Sequence, residues 1–228
     1  MNRLEQALNT VLRNYKNNPQ GEWQQRMKTS LEVIKNYNPI NKGYSEYEVA
    51  YSNGKDSHAL LFAHLVAKKL HGIDFKVHHN VTTIDPSSSV VWGRDVFRQL
   101  TDMGVSAKAI RPKKTFHQLI RYNNMAPTRT LRFCCADLKE NYRQTSVVSV
   151  GVRADESNSR RDRGYASIKT YKGYVEYTEL KDASFKDFFN SVSQINKRLR
   201  TRLFTNCTVA PIIHWTLSDI KSFFEENK

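Results

Sequence analysis

The sequence predicts an α/β fold, in which a mostly parallel, twisted sheet carries helices on both faces and a helical extension precedes it. Short apolar segments typical of strands alternate with amphipathic segments of helical period. Strands that alternate with helices are joined by right-handed βαβ crossovers, which makes the sheet mostly parallel. A hydrophobic fraction of 39% in 228 residues is enough for the core of one generous domain.

The N-terminal part of the chain predicts two helices, because apolar residues recur at helical spacing through residues 1–36. The sequence Asn-Asn-Pro-Gln-Gly at 17–21 separates the two helices as a turn. Residues 36–45 are rich in Asn, Gly and Pro and predict a loop. We therefore expect a helical extension at residues 1–40 and an α/β domain at residues 41–228.

Strands and helices are expected in alternation through the first part of that domain. The predicted elements are a strand at 48–51, a helix at 55–71 closed by Gly72, a strand at 75–83, a helix at 90–103 stopped by Gly104, a strand at 105–110, a helix at 115–123 and a buried parallel strand at 147–152.

The amino-acid composition indicates which kinds of partner and which cellular location to expect. A formal net charge of +14 favours an anionic partner, such as a polyphosphate, a nucleic acid or an acidic protein. No apolar run approaches the roughly 20 residues that cross a bilayer, and the N-terminus has no apolar stretch of the signal-peptide type. Three cysteines make a poor disulfide framework. We expect a cytoplasmic protein with no membrane contact.

The loop between the first strand of the domain and the next helix predicts a phosphate site. Free N–H groups at a helix start, together with the helix dipole, bind anions. Gly54 permits close approach and positive φ, Lys55 adds a positive charge, and Ser52 and Ser57 add hydroxyl donors. The spacing is not that of Walker A. The structural alternative is a turn capped by Asp56 or Ser57.

This loop resembles the PP-loop (SGGKDS-type) signature of the ATP pyrophosphatase and phosphoadenosine phosphosulfate (PAPS) reductase superfamily. Asn53 stands where that signature usually has glycine. Four further segments resemble the superfamily's motifs in the same order: HNVTTIDP at 79–86, FCCADLK at 133–139, GVRADES at 151–157 with Arg160, and PIIHWTLSDI at 211–220. The resemblance implies a Rossmann-like fold of the adenine nucleotide alpha hydrolase type.

The resemblance also implies a nucleotide site. Residues 52–57 would hold the phosphates of ATP or PAPS, and the segment with Thr82, Thr83 and Asp85 would border the adenine. Asp56 and Asp85 have the hard oxygen ligands that Mg²⁺ prefers beside a polyphosphate. A helix cap and a turn residue are equally good structural roles for these two carboxylates.

Two arginines follow the strand at 147–152, where open α/β sheets bind ligands. The forked guanidinium groups of Arg153 and Arg160 suit phosphate or sulfate, whereas Arg161 and Arg163 fit a solvated loop. The predicted catalytic residues are Lys55, Asp56, Arg153 and Arg160.

The cysteines leave three interpretations open. Cys134 and Cys135 are either core residues or redox thiols whose pKa is lowered by Arg132 and Lys139. Some relatives bind an iron–sulfur cluster with four thiolates, but Cys207 is the only other cysteine here. A four-cysteine cluster within this chain is therefore excluded, while a three-cysteine or shared site stays open.

Three functions are compatible with these features. The first is ATP cleavage at the α–β bond, with adenylation of an acceptor and pyrophosphate release, in sulfur transfer or nucleotide metabolism. The second is a PAPS-type reductase, which is disfavoured because the sequence ends without the usual Glu-Cys-Gly segment. The third is a nucleic-acid binder that uses the basic run at 197–202. As partners, tRNA or DNA, a second protein completing the active site, and further copies of the chain stay open.

Overall fold

The computed structural model describes residues 1–42, 46–128, 130–140, 147–170, 173–198 and 207–227. Within these ranges, one sheet of seven strands forms the centre of the molecule. The strands are β1 (Glu48–Ala50), β2 (Lys76–Asn80), β3 (Ala107–Ile110), β4 (Val147–Val150), β5 (Ala166–Thr170), β6 (Gly173–Tyr177) and β7 (Cys207–Val209).

Helices flank this sheet on both faces, which confirms the predicted α/β class. The helices are α1 (Arg3–Asn17), α2 (Glu22–Asn36), α3 (Lys55–His71), α4 (Ser87–Asp102), α5 (Phe116–Asn123), the single turn α6 (Phe133–Cys135), α7 (Asp182–Arg198) and α8 (Leu217–Glu226). A π-helical turn at Ala136–Glu140 continues α6, and short 3₁₀ turns lie at Ile40–Lys42, Ala154–Glu156 and Asn158–Arg160.

The strand order is β3-β2-β1-β4-β7-β5-β6. Strand β1 pairs in parallel with β2 on one side and with β4 on the other. The chain thus winds outward from β1 in one direction and later in the opposite direction. Open α/β sheets bind ligands at such a reversal, outside the carboxyl ends of the strands. The fold therefore places a crevice beside the loops that follow β1 and β4.

Most of the predicted elements occur in the expected order. Helix α3 has the predicted bounds, and Gly72 ends it with a left-handed φ of 66°. The second strand is shorter than the predicted 75–83, and Thr83, three residues after its end, has a left-handed φ of 65°. Helix α4 begins at Ser87, three residues before the predicted start. The antiparallel pairing of β5 with β6 and β7 was not predicted.

The two N-terminal helices pack against the same core as the sheet. Helix α2 contacts α3 and α8, and α1 contacts α3 and α4. Trp23 and Phe223 are in edge-to-face contact with ring centroids 5.2 Å apart. The division into an extension at 1–40 and a domain at 41–228 stays a prediction. In the part of the chain described, no helix combines the length and apolar character needed to span a membrane.

The two faces of the sheet differ in polarity at the β7–β5–β6 end. Ala166 and Ile168 of β5 are buried in the core, and Tyr177, which pairs with Ala166, contacts Phe188 of α7. The alternate residue Ser167 points to the opposite face, where its hydroxyl lies 2.8 Å from that of Thr208. The sheet is therefore apolar towards α7 and polar on its other face.

Candidate functional site

The loop after β1 leaves a set of backbone amides at the start of α3. The first helical hydrogen bond runs from the N–H of His58 to the carbonyl of Gly54, at 2.9 Å. The N–H groups of the three preceding residues therefore have no helical acceptor. Gly54 is the N-cap and makes no side-chain capping bond, so neither Asp56 nor Ser57 caps this helix. The start of α3 is open to an anion.

Hydrogen bonds inside the loop fix its shape. The Ser57 hydroxyl donates to the Gly54 carbonyl at 2.8 Å and accepts from the Ser52 N–H at 3.1 Å. The Ser52 and Ser57 hydroxyl oxygens are also 3.1 Å apart. Ser57 is buried, whereas Ser52 and Gly54 are exposed. The Ser57 proton is used by Gly54 and the Ser52 proton by Ser57, so in this structure the two serines fix the loop's geometry.

Asn53, and not Gly54, takes the left-handed conformation in this loop. Its φ is 62°, whereas that of Gly54 is −87°, so the loop does not use the freedom that Gly54 offers. The Asn53 amide donates to the Ser89 carbonyl at 3.1 Å. A Cβ on Gly93 would lie 2.8 Å from the Asn53 side chain. Asparagine tolerates this conformation when it has a local hydrogen bond, and α4 supplies both that bond and the space.

Arg153 connects the loop after β4 with the phosphate loop. Its Nε donates to Oδ1 of Asp56 at 2.7 Å, and one terminal nitrogen donates to Asp155 at 3.2 Å. Lys55 Nζ lies 2.9 Å from the other carboxylate oxygen of Asp56. Arg153 is 4% exposed, and a guanidinium this deeply buried is normally paired. The structure thus brings together three of the four predicted catalytic residues.

The backbone of the same loop approaches α3 closely at Gly151. A Cβ added to Gly151 would lie 3.0 Å from the amide nitrogen of Ser57 and 3.1 Å from the carbonyl carbon of Asp56. Any side chain there would press on the start of α3. Position 151 therefore favours glycine for a steric reason, which the sequence motif did not reveal.

The segment after β2 lies beside the phosphate loop. Asp85 accepts from the Thr82 N–H at 3.1 Å, and Asp85 lines a cavity of about 180 Å³ together with Ser52 and Thr82. Thr83 accepts from the first N–H of α5, that of Phe116, at 2.8 Å. Asp85 and Thr83 also line a cavity of about 400 Å³ with Asn53. The residues predicted to bind phosphate and those predicted to border the adenine therefore line the same cavities.

Backbone strain coincides with these residues. The structure describes three non-glycine residues with left-handed φ, and two of them are Asn53 and Thr83. A β-branched residue such as threonine is rare in this conformation. Strained residues persist where the surroundings hold them, and they cluster at binding sites.

Residues 46–228 match the family model described as the phosphoadenosine phosphosulfate reductase domain. The chain belongs to the PAPS reductase domain family. None of the curated proteins compared matches it in sequence.

Two of the solved structures that match this chain have low sequence identity to it. A U34-tRNA thiolase from Methanococcus maripaludis, solved with its [4Fe-4S] cluster, has a TM-score of 0.53 and 13% identity, with 87% of this chain and 63% of that chain covered. An FMN adenylyltransferase from Candida glabrata, in complex with FMN and the ATP analogue AMPCPP, has a TM-score of 0.47 and 13% identity, covering 96% and 65%. This member of the PAPS reductase family spans less than two thirds of either solved chain.

In this family member, the fourth predicted catalytic residue lies apart from the other three. Arg160 forms an ion pair with Glu156, whose carboxylate also accepts from the Arg153 N–H at 3.3 Å. The Arg160 side chain lines a cavity of about 810 Å³ built from α6, the loop after β4 and the β5–β6 hairpin. Arg163 lines this cavity too.

The carboxylates differ in their suitability for Mg²⁺. Asp56 already accepts from Arg153 and Lys55, whereas the side chain of Asp85 accepts from one backbone N–H. Over the described ranges, no three His, Cys, Asp or Glu side chains gather into a metal-binding group. Mg²⁺ usually takes one or two carboxylates and completes its shell with phosphate oxygens and water. Asp85 fits an ion that arrives with the nucleotide better than Asp56 does.

The cysteines occupy two different environments. Cys134 and Cys135 lie half-buried in α6, and an Arg132 nitrogen lies 3.5 Å from Sγ of Cys135. Burial and then the neighbouring Cys135 raise the pKa of the Cys134 thiol, so the expected lowering of this pKa is wrong. Cys207 is buried in the core at β7. The three thiols do not form a metal-binding group among the described residues.

An aromatic cluster that the sequence analysis missed supports the phosphate loop from one side. The Tyr51 hydroxyl lies 3.0 Å from Nδ1 of His58, and the His58 ring contacts Phe62, Trp92 and Phe224. Burial lowers the pKa of His58 to about 4, so the imidazole is neutral at pH 7. The signal in the sequence was an aromatic residue at the end of a strand, followed by histidine in the first turn of the next helix.

The basic run at 197–202 begins in the last turn of α7 and continues beyond it. Its residues 199–202 lie outside the described residues. The prediction that this run binds nucleic acid therefore stays a prediction.

Proposed function

We propose that this chain is an enzyme that binds ATP in the crevice beside β1 and cleaves it between the α and β phosphates. An acceptor is adenylated and pyrophosphate leaves, as an activation step for sulfur transfer. The observation that carries this proposal is the open start of α3, with Lys55 and the buried Arg153 next to it. This cationic site lies where the strand order reverses.

Charge stabilisation is the main catalytic contribution in the proposal. Negative charge grows on the leaving pyrophosphate, and donors already in place stabilise it without reorganisation. The amides of Lys55, Asp56 and Ser57 would be such donors. Arg153 would hold the loop in position through Asp56, because its guanidinium is buried in a fixed geometry. When bound, Mg²⁺ would neutralise part of the phosphate charge.

Lys55 is the cation that can move to the nucleotide. Its side chain is 52% exposed and pairs with Asp56 at 2.9 Å. Such exposed ion pairs contribute about 0–1 kcal/mol. The phosphates of ATP carry more negative charge than one carboxylate. They can therefore replace Asp56 as the partner of Lys55 at little cost.

The adenine would enter the cavity of about 400 Å³ next to Asn53. This volume is within the range of small-molecule sites. Val81, Val90 and Phe97 give it apolar walls, and Thr83 and Thr115 add hydroxyl groups. An aromatic ring with exocyclic polar atoms suits such a mixture.

Product analysis tests the proposal. The protein is incubated with ATP and Mg²⁺ without an added acceptor, so that water attacks the α-phosphate in its place, and AMP and pyrophosphate are the expected products. Lys55→Ala abolishes the cleavage. Lys69→Ala removes an exposed lysine from the last turn of the same helix and leaves it intact. Undiminished ATP cleavage by Lys55→Ala would refute the role assigned to the loop.

Sulfonucleotide reduction is the second candidate, and the position of Cys135 favours it. This thiol lies in the cavity of about 810 Å³, within 3.5 Å of an Arg132 nitrogen. The same incubation with PAPS and a dithiol reductant would then release sulfite. Loss of sulfite in Cys135→Ser, with no AMP formed from ATP, would replace the first candidate by the second.

A further inference from the structure

The cavity of about 810 Å³ has a floor on the polar face of the sheet. Thr208 of β7, Lys169 of β5 and Tyr174 of β6 belong to this floor. Lys169 and Tyr174 are directly opposite each other in the antiparallel β5–β6 ladder, so their side chains project from the same face. The floor therefore presents a cation and an aromatic ring side by side.

The charges around the cavity are almost all of one sign. Five cationic side chains line it, against the single carboxylate of Glu156; the cations are Arg132, Lys139, Arg160, Arg163 and Lys169. In the portion of the chain described here, Arg160 is the one member of this set with an ion pair, and its partner is Glu156. Among the described side chains, the other four cations thus face the cavity without an ion-pair partner, which concentrates anions there.

Tyr174 offers a surface on which a base can stack. Its side chain is 51% exposed, and the Arg163 guanidinium lies 5.1 Å from the centre of its ring. Proteins that bind single strands combine a cationic groove along the backbone with aromatic rings under the bases. Tyrosine, arginine and lysine at one cavity floor provide both parts.

The cavity adjoins the nucleotide crevice but does not duplicate it. Lys139 lines both this cavity and the one of about 180 Å³ that contains Ser52 and Asp85. Lys55 and Arg153, the cations assigned to ATP, are not part of its lining. A ligand in this cavity would therefore reach the crevice from the side away from the adenine cavity.

We propose that this cavity binds a single-stranded nucleic acid, with backbone phosphates on Lys169, Arg132 and Lys139 and one base stacked on Tyr174. The identification of this strand as the acceptor rests on the proposed adenylation. Binding of the strand itself does not, because no residue of the phosphate loop lines the cavity.

Fluorescence anisotropy with labelled oligo(dT) and labelled oligo(U) tests the proposal on the intact chain without ATP. We expect both strands to bind, and their relative affinity distinguishes a DNA from an RNA acceptor. Tyr174→Leu weakens binding roughly 5- to 150-fold, the range expected for one stacked base. Lys169→Gln weakens binding and reduces the dependence of log affinity on log salt by about one phosphate contact.

Matched controls separate a local effect from the loss of general positive charge. Lys16→Gln removes one exposed lysine from α1, which is not part of the cavity, and should bind like the unmodified chain. Lys169 and Tyr174 are exposed, so their variants should keep the unmodified melting temperature. Equal affinities for Lys169→Gln, Tyr174→Leu and Lys16→Gln would overturn the proposal.

ATP cleavage is measured in parallel on each variant. The proposal is supported when Tyr174→Leu no longer binds the strand but still releases AMP from ATP in the absence of an acceptor. Cleavage of ATP by a protein that binds neither oligonucleotide overturns this inference and leaves the proposed function intact. Weakened ATP binding in Lys169→Gln, with unchanged oligonucleotide affinity, would assign the cavity to the nucleotide and also overturn it.

Discussion

Replacing Gly54 by alanine separates the fold of the phosphate loop from its function. The φ of −87° and ψ of 163° at Gly54 are allowed for alanine. Among the described residues, a Cβ there would meet Ser52 Oγ at 3.5 Å, an ordinary contact. The added methyl group would otherwise project into open space at the start of α3, where we place the phosphates.

The two effects on stability have opposite signs. Alanine restricts the unfolded chain and adds about 0.4–1 kcal/mol to the free energy of unfolding. Alanine is also a poorer N-cap than glycine, which subtracts a similar amount, about 0.5–1.5 kcal/mol. We therefore expect the free energy of unfolding to change by less than about 1 kcal/mol.

Nucleotide affinity should change far more. Loss of one hydrogen bond between an amide and a charged phosphate costs about 1.5–3 kcal/mol. This corresponds to a rise in Kd of roughly 10- to 140-fold. Calorimetric titration with a non-cleavable ATP analogue measures the Kd, and urea unfolding measures the stability. A Kd for Gly54→Ala within about twofold of the unmodified value would show that the phosphates do not lie on this loop.

Gly151→Ala is the informative comparison, because its Cβ would meet protein rather than ligand. At 3.0 Å from the Ser57 nitrogen it falls 0.4 Å inside the 3.4 Å limit of ordinary contact. Overpacking of this kind costs about 1–3 kcal/mol. This variant should lose stability as well as affinity, whereas Gly54→Ala should lose affinity alone.

Three further outcomes follow from buried charge and titration. Arg153→Met leaves Asp56 without its buried partner and should lower the free energy of unfolding by about 3 kcal/mol in urea titration; a change near zero would contradict the pairing. Burial lowers the pKa of His58 from 6.5 to about 4. The neutral ring therefore contributes to stability above pH 6.5, and this contribution is lost as the pH falls towards 4. His58→Phe should therefore lose less stability than the unmodified chain between about pH 7 and about pH 5, and equal losses would argue against a buried neutral imidazole. Replacing Cys135 by Ser removes the contribution of the neighbouring thiol, but burial still raises the pKa of Cys134, so Cys134 should react with iodoacetamide more slowly than free cysteine; a faster reaction would contradict this.

Local signals account for the parts of the fold that the sequence predicted correctly. Helix α3 was bounded by a strand and loop at one end and by Gly72 at the other, all within a short stretch. The β5–β6 hairpin was missed although Ser167 and Lys169 alternate with apolar Ala166 and Ile168. Its antiparallel pairing with β7 joins segments about 40 residues apart, which local patterns do not encode.

The candidate site shows the same limit. The loop amides followed from the strand–loop–helix order, but the contact of Arg153 with Asp56 joins residues 97 positions apart. Nothing in the sequence separated Arg153 from Arg160, since both follow β4 within one motif. The direction of the pKa shift at Cys134 also depended on geometry. The guanidinium of Arg132 lies next to the sulfur of Cys135 rather than that of Cys134.

The contacts of Glu226 have a consequence for synthesis on the ribosome. Its carboxylate accepts from the Trp23 indole at 2.7 Å, and its backbone carbonyl accepts from Asn14 at 2.8 Å, across 203 and 212 positions of sequence. At about 5–20 residues per second, the nascent helices α1 and α2 wait roughly 10–40 s before α8 is translated. Throughout that interval their apolar faces have no partner from this end of the protein, so they are natural targets for a chaperone.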